Sequence, residues 1–359
     1  MSELINGKRD INSFSQEELE KIIVTELGEK KFRVSQIYKW LHEQRVKDFS
    51  DMSNLSIALR EKLNQEFFIN RPKILEVLTS KEDGTKKYLF ELSDGNIIES
   101  VFMRYIHGNS VCISTQVGCA MGCKFCASTI DGLERHLLPS EMLGQIYEIA
   151  LNTGEKISNV VLMGSGEPLH NYDNVIRFIR LITDEKGYNL SARNITLSTC
   201  GIVPNIERLA GEGLPITLAI SLHASNDEKR KELMLIANKY SIKEIIKATD
   251  NYFNKTGRRI SFEYSLVFGV NDKAEDADEL SKLLRGKHAH VNLIPVNPIK
   301  ERDFKSSNTA SCKAFKNILE KNGINVTIRR EMGRDINGAC GQLRRSYIKK
   351  ESSKGGKED

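Results

Sequence analysis

The spacing of apolar positions changes twice along the chain and divides it into three parts. From Phe14 to Phe68 apolar residues recur every three or four positions: Leu19, Ile22, Ile23 and Leu27, then Ile37, Tyr38, Trp40 and Leu41, then Leu55, Leu59 and Leu63. That period is the mark of amphipathic helices, and it predicts a small helical module over residues 1–70. Near Pro72 the pattern shortens to apolar runs at Ile74–Leu78, Tyr88–Leu92 and Ile97–Arg104, punctuated by Asp83-Gly84 and Asp94-Gly95. Asp-Gly between such runs is a hairpin signal, so residues 71–104 read as a β-meander linking the module to a larger C-terminal part. Beyond Ser110 short apolar runs alternate with helical periods. The predicted strands are Val111–Gln116, Ile157–Met163, Asn194–Ser198, Ile216–Leu222, Ile260–Val267 and Val291–Pro295. Helices are expected between them, for example over Pro139–Leu151, Asn174–Asp184 and Ile242–Lys255. Six strand-then-helix repeats imply an α/β fold with a parallel sheet. Six are too few to close an eight-stranded barrel, so a partial, open (β/α)6 barrel is expected in preference to a doubly wound sheet. Either architecture places ligands at the carboxyl ends of its strands. A last helix (Cys312–Asn322) and strand (Val326–Arg330) complete the pattern, and residues 348–359, without apolar side chains to pack beyond Lys349, are expected to be a disordered tail.

Composition adds bounds rather than an identity. A chain of 359 residues accommodates one large domain and a small appendage. Its net charge of +5, with 28% charged residues, fits a polyanionic partner without requiring one. No apolar run approaches the roughly 18 residues that span a bilayer, and the polar N-terminus lacks the apolar segment of a secretory signal. Seven cysteines, an odd number unevenly spread, suit a reducing compartment better than a disulfide framework. A cytoplasmic protein is expected.

The chemistry concentrates in Val117-Gly-Cys-Ala-Met-Gly-Cys-Lys-Phe-Cys-Ala127, where Cys119, Cys123 and Cys126 stand as C-x3-C-x2-C. Three thiolates on a 4Fe–4S cube leave one iron without a protein ligand, open to chelation by the amino and carboxyl groups of S-adenosylmethionine (SAM). An electron from such a cluster can cleave the sulfonium to a 5′-deoxyadenosyl radical. The competing readings are structural zinc, which wants a second cysteine pair that is not present, and unrelated core thiols. Gly164-Ser-Gly-Glu-Pro168 comes directly after the second predicted barrel strand, so Gly166 allows close backbone approach and Glu167 offers an acceptor for an ammonium; an ordinary turn is the alternative. Ser198, Ser221, Leu222, His223 and Asn297 stand at further strand ends, where polar groups converge on one ligand or simply cap turns. Cys112 and the glycine-flanked Cys340 are candidate nucleophiles, with Arg344 and Arg345 favouring a thiolate near the latter; two buried structural thiols are as good a reading. Cys200 and Cys312 read as structural, and Glu99, alone among apolar strand residues, as outward-facing.

Assembled, these residues resemble the RlmN family of dual-specificity RNA methyltransferases, whose sister group is the Cfr methyltransferases. The similarity runs from about Lys31 to Tyr347. It includes Phe32-Arg-Val-Ser-Gln-Ile-Tyr-Lys-Trp-Leu41, Gln116-Val-Gly-Cys-Ala-Met-Gly-Cys-Lys-Phe-Cys126, Ile220-Ser-Leu-His-Ala224, Asn292-Leu-Ile-Pro-Val-Asn-Pro298 and Asp335-Ile-Asn-Gly-Ala-Cys-Gly-Gln-Leu343. The resemblance implies a radical-SAM barrel over residues 105–347 that methylates carbon 2 of adenosine in 23S rRNA and in tRNA just 3′ of the anticodon. It implies a 4Fe–4S cluster on Cys119, Cys123 and Cys126, and two SAM molecules per turnover at Gly166, Glu167, Ser198, Ser221, Leu222, His223 and Asn297. Cys340 would be methylated, the radical would abstract hydrogen from that methyl group, and the methylene radical would add to the adenine. Cys112 would resolve the thioether through a transient disulfide with Cys340, and Glu99 would take the ring proton. An electron donor such as flavodoxin or ferredoxin is implied, and a monomer is expected. The helical module, with Lys30, Lys31, Arg33, Lys39, Arg45, Lys47, Arg60 and Lys62, would dock RNA phosphates. Ser165 departs from the methionine many members carry, and Glu167-Pro168 favours the carbon-2 enzymes over Cfr-type carbon-8 methylation, which stays as an alternative beside an unrelated radical SAM enzyme.

Overall fold

One ten-stranded sheet carries the barrel and the meander together. The structure, a computed structural model, describes residues 4–5, 7–298, 302–336 and 347, so Cys340 lies outside the described residues. At the N-terminus β1 (Leu4–Ile5) and β2 (Lys8–Asp10) pair antiparallel, and β2 pairs parallel with β3 (Phe67–Phe68), stitching the ends of the helical module together. Between them α1 (Gln16–Glu20) begins on a reciprocal cap in which Ser15 and Glu18 each accept from the other's backbone N–H. It runs into π-helical turns over Lys21–Glu26, and then come α2 (Phe32–Lys39) and α3 (Ile57–Glu66). Leu19, Ile23, Ile37, Leu41, Leu59 and Leu63 form the module's own core, the face read from the periodicity.

That module is seated against the barrel by polar groups buried in the seam. The Tyr38 hydroxyl donates to Asp184, and Arg177 donates to Glu18 and to the Ser13 carbonyl. The nearly buried Glu148 carboxylate receives Lys47 at 2.7 Å and lies 3.4 Å from Arg71, whose guanidinium also stacks on the Tyr147 ring. His42 is fully buried with Nδ1 2.9 Å from the Tyr147 hydroxyl. The module's position is therefore built into the free protein.

The meander strands β4 (Lys73–Thr79), β5 (Lys86–Glu91) and β6 (Ile97–Tyr105) turn at Gly84 and Gly95, both with positive φ. Strand β6 pairs antiparallel with β7 (Gly108–Cys112), the first barrel strand, so the meander is the edge half of the main sheet as well as a connection. The next segment leaves the ladder, and this is why β7 ends four residues before the boundary read from the sequence. There β8 (Gln116–Gly118) and β9 (Leu133–His136) form a separate hairpin. The barrel then continues with α4 (Pro139–Thr153), β10 (Asn159–Leu162), α5 (Tyr172–Thr183), β11 (Ile195–Thr199), α6 (Val203–Leu209) and β12 (Thr217–Ser221). It ends with α7 (Asp227–Leu233), α8 (Ile242–Thr256), β13 (Ile260–Leu266), α9 (Ala274–Leu284), β14 (Ala289–Pro295), α10 (Thr309–Lys321) and β15 (Asn325–Ile328).

Strands β7, β10, β11, β12, β13, β14 and β15 are parallel and lie side by side in chain order. An order without reversal, joined by right-handed crossovers, puts the helices on one face and leaves the other as a lumen. This gives six β/α units completed by a seventh strand. Leu197, Leu218, Ile220, Phe262, Tyr264 and Val291 point outward into the main core, while Ser198, Ser221, Glu263 and Ser265 alternate with them and line the lumen cavities.

The seam makes stability pH-dependent. Burial, reinforced by the Arg71 charge, holds the His42 imidazole down at about 3, against about 6.5 when unfolded. The unfolded chain binds the proton first, so this contribution is complete above pH 6.5 and is lost as pH falls toward 3. Between pH 7 and pH 5 urea unfolding should show a loss of about 2 kcal/mol from this group. His42→Asn should remove that component of the pH dependence.

Candidate active site

The β8/β9 hairpin frames the cysteine loop. Gly118 has φ +74° and a Cβ there would collide with the Gly132 carbonyl oxygen, so only glycine lets the two arms approach this closely. The Cys119 N–H donates to Gly132 O at 2.7 Å, and the Thr129 hydroxyl bonds the carbonyls of Cys123 and Cys126 at 3.0 Å each. On its far side the loop is pinned to the end of α7, where the Lys124 N–H donates to Leu233 O and Cys123 bridges Met234.

Cys119, Cys123 and Cys126 line one cavity of about 220 Å³, together with Gly166, Glu167, Ser198, Ser221 and His223. Burial, with the neighbouring thiols and Glu167 adding, pushes the Cys119 thiol up to about 12 and the Cys123 thiol well above its ordinary value. Three thiolates held together here need a bound cation, and iron supplies that charge. Among the described residues no three His, Cys, Asp or Glu side chains converge on a single metal ion. The donor set fits the cube: three cysteines on one cavity wall, facing the polar ends of four strands.

The Gly164–Pro168 loop forms the opposite wall. Gly166 has φ +110° and a Cβ would meet Gln116 at 2.7 Å. The Gln116 side-chain oxygen accepts from Glu167 N–H at 2.7 Å. The Glu167 carboxylate is buried and held by two amides, from Cys200 at 2.8 Å and Leu169 at 3.0 Å. Burial raises its pKa and these bonds oppose the rise. Ser165 contributes through its backbone: its carbonyl accepts from the Thr115 and Gln116 amides, and its N–H donates to the Ser114 hydroxyl. The side chain at that position therefore has little part in holding the loop.

Ser198 and Ser221 hydroxyls lie 3.3 Å apart on adjacent strands. His223 adopts φ +58°, uncommon for a residue with a side chain. It is held there by Asn271, which donates to its carbonyl at 2.7 Å, and by the Ser265 N–H, which donates to Nδ1 at 2.9 Å. Accepting at Nδ1 puts the ring proton on Nε2, and burial keeps the imidazole neutral by lowering its pKa to about 3. Phe125 meets that ring edge to face at 4.9 Å, covering the cysteine loop.

The side chains of Leu222 and Asn297 do not line the cavity that holds the three cysteines. The Leu222 side chain is buried in the apolar core and only its backbone belongs to the strand end. Asn297 is exposed and lines a neighbouring chamber of about 270 Å³, which also contains Cys112, Val101, Met103 and Met332. The two chambers share Phe125, Cys126, Met163, Ile294 and Arg329. Glu99 is not outward-facing: it is 4% exposed and ion-paired at 3.0 Å with Lys87, itself fully buried. The reason is that β6 is covered on both faces. Ser100 bonds Gln145 on the helix side, and Val101, opposite Cys112 in the ladder, places Glu99 and Cys112 on the other face. Sequence reasoning missed Lys87, which reads as a surface residue in Lys86-Lys87. It also missed the buried Arg230, and the placement of Cys200 in the cavity wall beside Glu167.

A thiol triad and a glycine-lined loop at the carboxyl ends of an open, singly wound barrel define a radical SAM enzyme, a class that works with a 4Fe–4S cluster and SAM. Residues 113–282 match the Radical SAM superfamily, and residues 9–69 match the ribosomal RNA large subunit methyltransferase N-terminal domain. The chain belongs to the RlmN family of dual-specificity RNA methyltransferases. It is 60% identical over 346 residues, 96% of this chain and 97% of the relative, to the "Probable dual-specificity RNA methyltransferase RlmN" of Lachnoclostridium phytofermentans. It is 61% identical to the protein of the same description from Lachnospira eligens, over 94% of this chain and 97% of that one. The crystal structure of a radical SAM methyltransferase from Sphaerobacter thermophilus superposes with a TM-score of 0.89 at 40% identity, covering 93% of this chain and 98% of that one.

Gly166→Ala should push Glu167 out of register with its amide donors. SAM affinity measured by calorimetry on the cluster-loaded protein is expected to fall tenfold or more, about 1.4 kcal/mol; unchanged affinity would remove this loop from the SAM site.

Proposed function

We propose that this chain methylates carbon 2 of adenosine in 23S rRNA and in tRNA 3′ of the anticodon, using Cys119, Cys123 and Cys126 as cluster ligands. The observation that carries the reading is the adjoining pair of chambers: one holds the three thiols, the next holds Cys112, and Phe125, Cys126 and Met163 belong to both. A cluster ligand and a second, separate thiol within one lumen suits a radical route in which a cysteine-linked intermediate forms near the cluster and that thiol, Cys112, releases it. Carbon 2 of adenine is electrophilic, so it does not attack the electrophilic methyl of SAM directly. The cluster and SAM, when bound, supply the 5′-deoxyadenosyl radical that makes a methyl group on sulfur reactive toward such a carbon.

Around that chemistry the chain's residues have separate tasks. Glu167, with Gly166, receives the SAM ammonium; Ser198, Ser221, the Leu222 backbone, neutral His223 and Asn297 receive its polar groups. Cys340 takes the methyl group from a first SAM by displacement and presents it for hydrogen abstraction with a second. Glu99, oriented by Lys87, accepts the proton from the ring carbon. Cys112 forms the disulfide with Cys340 that releases product. Residues 1–70 dock RNA, 71–104 join them to the catalytic core, and 105–347 perform the reaction; 348–359, expected from the sequence to be a tail, lie outside the described residues. Within the module Lys31, Lys39 and Lys47 are engaged by Glu20, Glu43 and Glu148, which leaves Lys30 and Lys62 among the exposed cations facing solvent. Among the described residues no helix is long and apolar enough to cross a membrane. The reading assigns the protein to the cytoplasm as a monomer served by a flavodoxin- or ferredoxin-type donor.

Nucleoside mass spectrometry of rRNA and tRNA from cells with and without the gene tests this directly. Loss of 2-methyladenosine from both is expected; loss of 8-methyladenosine instead would transfer the chain to the Cfr-type reaction. With Cys112→Ala, multiple turnover should fall to background while a covalent protein–RNA species accumulates on denaturing gels. Full turnover by that variant would end the proposed role of Cys112.

A further inference from the structure

We propose that Arg230 is a positioning residue for electron transfer, supplying the fixed positive charge against which the cluster is reduced. The inference rests on cluster ligation by the loop cysteines. Arg230 lies on α7, has no exposure to solvent, and makes its three hydrogen bonds to carbonyl oxygens: Cys200 at 2.6 Å, Leu222 at 3.1 Å and Tyr240 at 3.3 Å. Among the described residues none of its bonds goes to a carboxylate. An unpaired buried charge is costly, and a neutral donor side chain could tie the same carbonyls for less. Arginine holds its charge even so, because its pKa starts far above neutrality.

The charge stands directly behind the cavity wall, bonded to Cys200, which lines the same cavity as the three loop cysteines. Arg230 sits one turn before Met234, which bridges Cys123, and its Nη2 bonds the residue whose amide holds Glu167. A three-thiolate cluster is already anionic and gains one further negative charge when a low-potential donor protein, or dithionite, gives it an electron; no bond forms or breaks in that step. A buried cation at its edge stabilises the reduced state more than the oxidised one and raises the potential. It does so in a wall where Glu167 pulls the other way.

The test is a redox titration of the reconstituted holoenzyme monitored by electron paramagnetic resonance, without RNA, comparing Arg230→Gln with Arg230→Lys. Removing the charge should lower the midpoint potential so that the ratio of reduced to oxidised cluster at a fixed poise falls about tenfold, equivalent to about 59 mV for one electron. Lysine, which keeps the charge but not the fork, should hold the wild-type midpoint while thermal stability drops. A wild-type midpoint in Arg230→Gln, or an equal shift in Arg230→Lys, overturns the proposal. Should the glutamine variant not fold, Arg230→Met, which removes the charge while keeping an unbranched side chain, is read by the same criterion: a wild-type midpoint overturns the proposal. Failure of the ligand assignment itself would show separately, as an iron–sulfur signal that survives replacement of Cys119, Cys123 or Cys126.

Discussion

Each parallel strand has to satisfy two environments at once, and the rest of the molecule depends on that constraint. A side-chain period of two puts Leu197, Leu218 and Phe262 beneath the helices and Ser198, Ser221 and Glu263 into the lumen. Because the strands run in chain order without reversal, the polar residues all fall on the same side. Several of the polar side chains that line the lumen are themselves buried, so charges placed there are balanced internally. Buried charges in and around it follow the same requirement: amides hold Glu167 in the cavity wall, Lys87 and Glu99 pair with each other, and carbonyls tie Arg230 on the helix behind that wall.

Glycine settles where the chain can pass. Gly118 lets the two arms of the cysteine hairpin approach closely, Gly166 lets the Gly164–Pro168 loop lie against Gln116, and both have positive φ. His223 obtains the same backbone freedom at a cost, offset by two hydrogen bonds, and the conformation delivers a neutral imidazole whose remaining proton is fixed on one nitrogen. Backbone shape and protonation state are thus set by the same contacts.

Local chemistry is legible in the sequence and long-range pairing is not. The spacing of Cys119, Cys123 and Cys126, the Gly166-Glu167 turn and the polar strand ends are contiguous signals, and their shared location comes from strand direction alone. The end of β7 reads too far along the chain because Ile113 still bonds Val161 and Gly164, whereas Ser114 turns its amide to Gln145 and Thr115 and Gln116 turn theirs to the Ser165 carbonyl. Glu99 and Lys87 read as exposed because nothing within either strand reveals that the sheet is covered on both sides. Arg230 is hidden between Lys229 and Lys231, a run that reads as a solvated helix face until the tertiary fold turns one of its cations inward. Leu222 reads as a ligand residue although its side chain belongs to the core, since alternation switches face at the last strand residue.

The seam at Glu148 has a consequence for how the protein responds to ionic strength. Salt strips phosphate contacts steeply, since each neutralised phosphate releases condensed counterions. A carboxylate that is 4% exposed, receiving Lys47 and standing beside a guanidinium only 6% exposed, is screened far less. Raising the salt therefore detaches RNA long before it loosens the helical module from the barrel. Substrate affinity and enzyme architecture are therefore separable on a single salt axis.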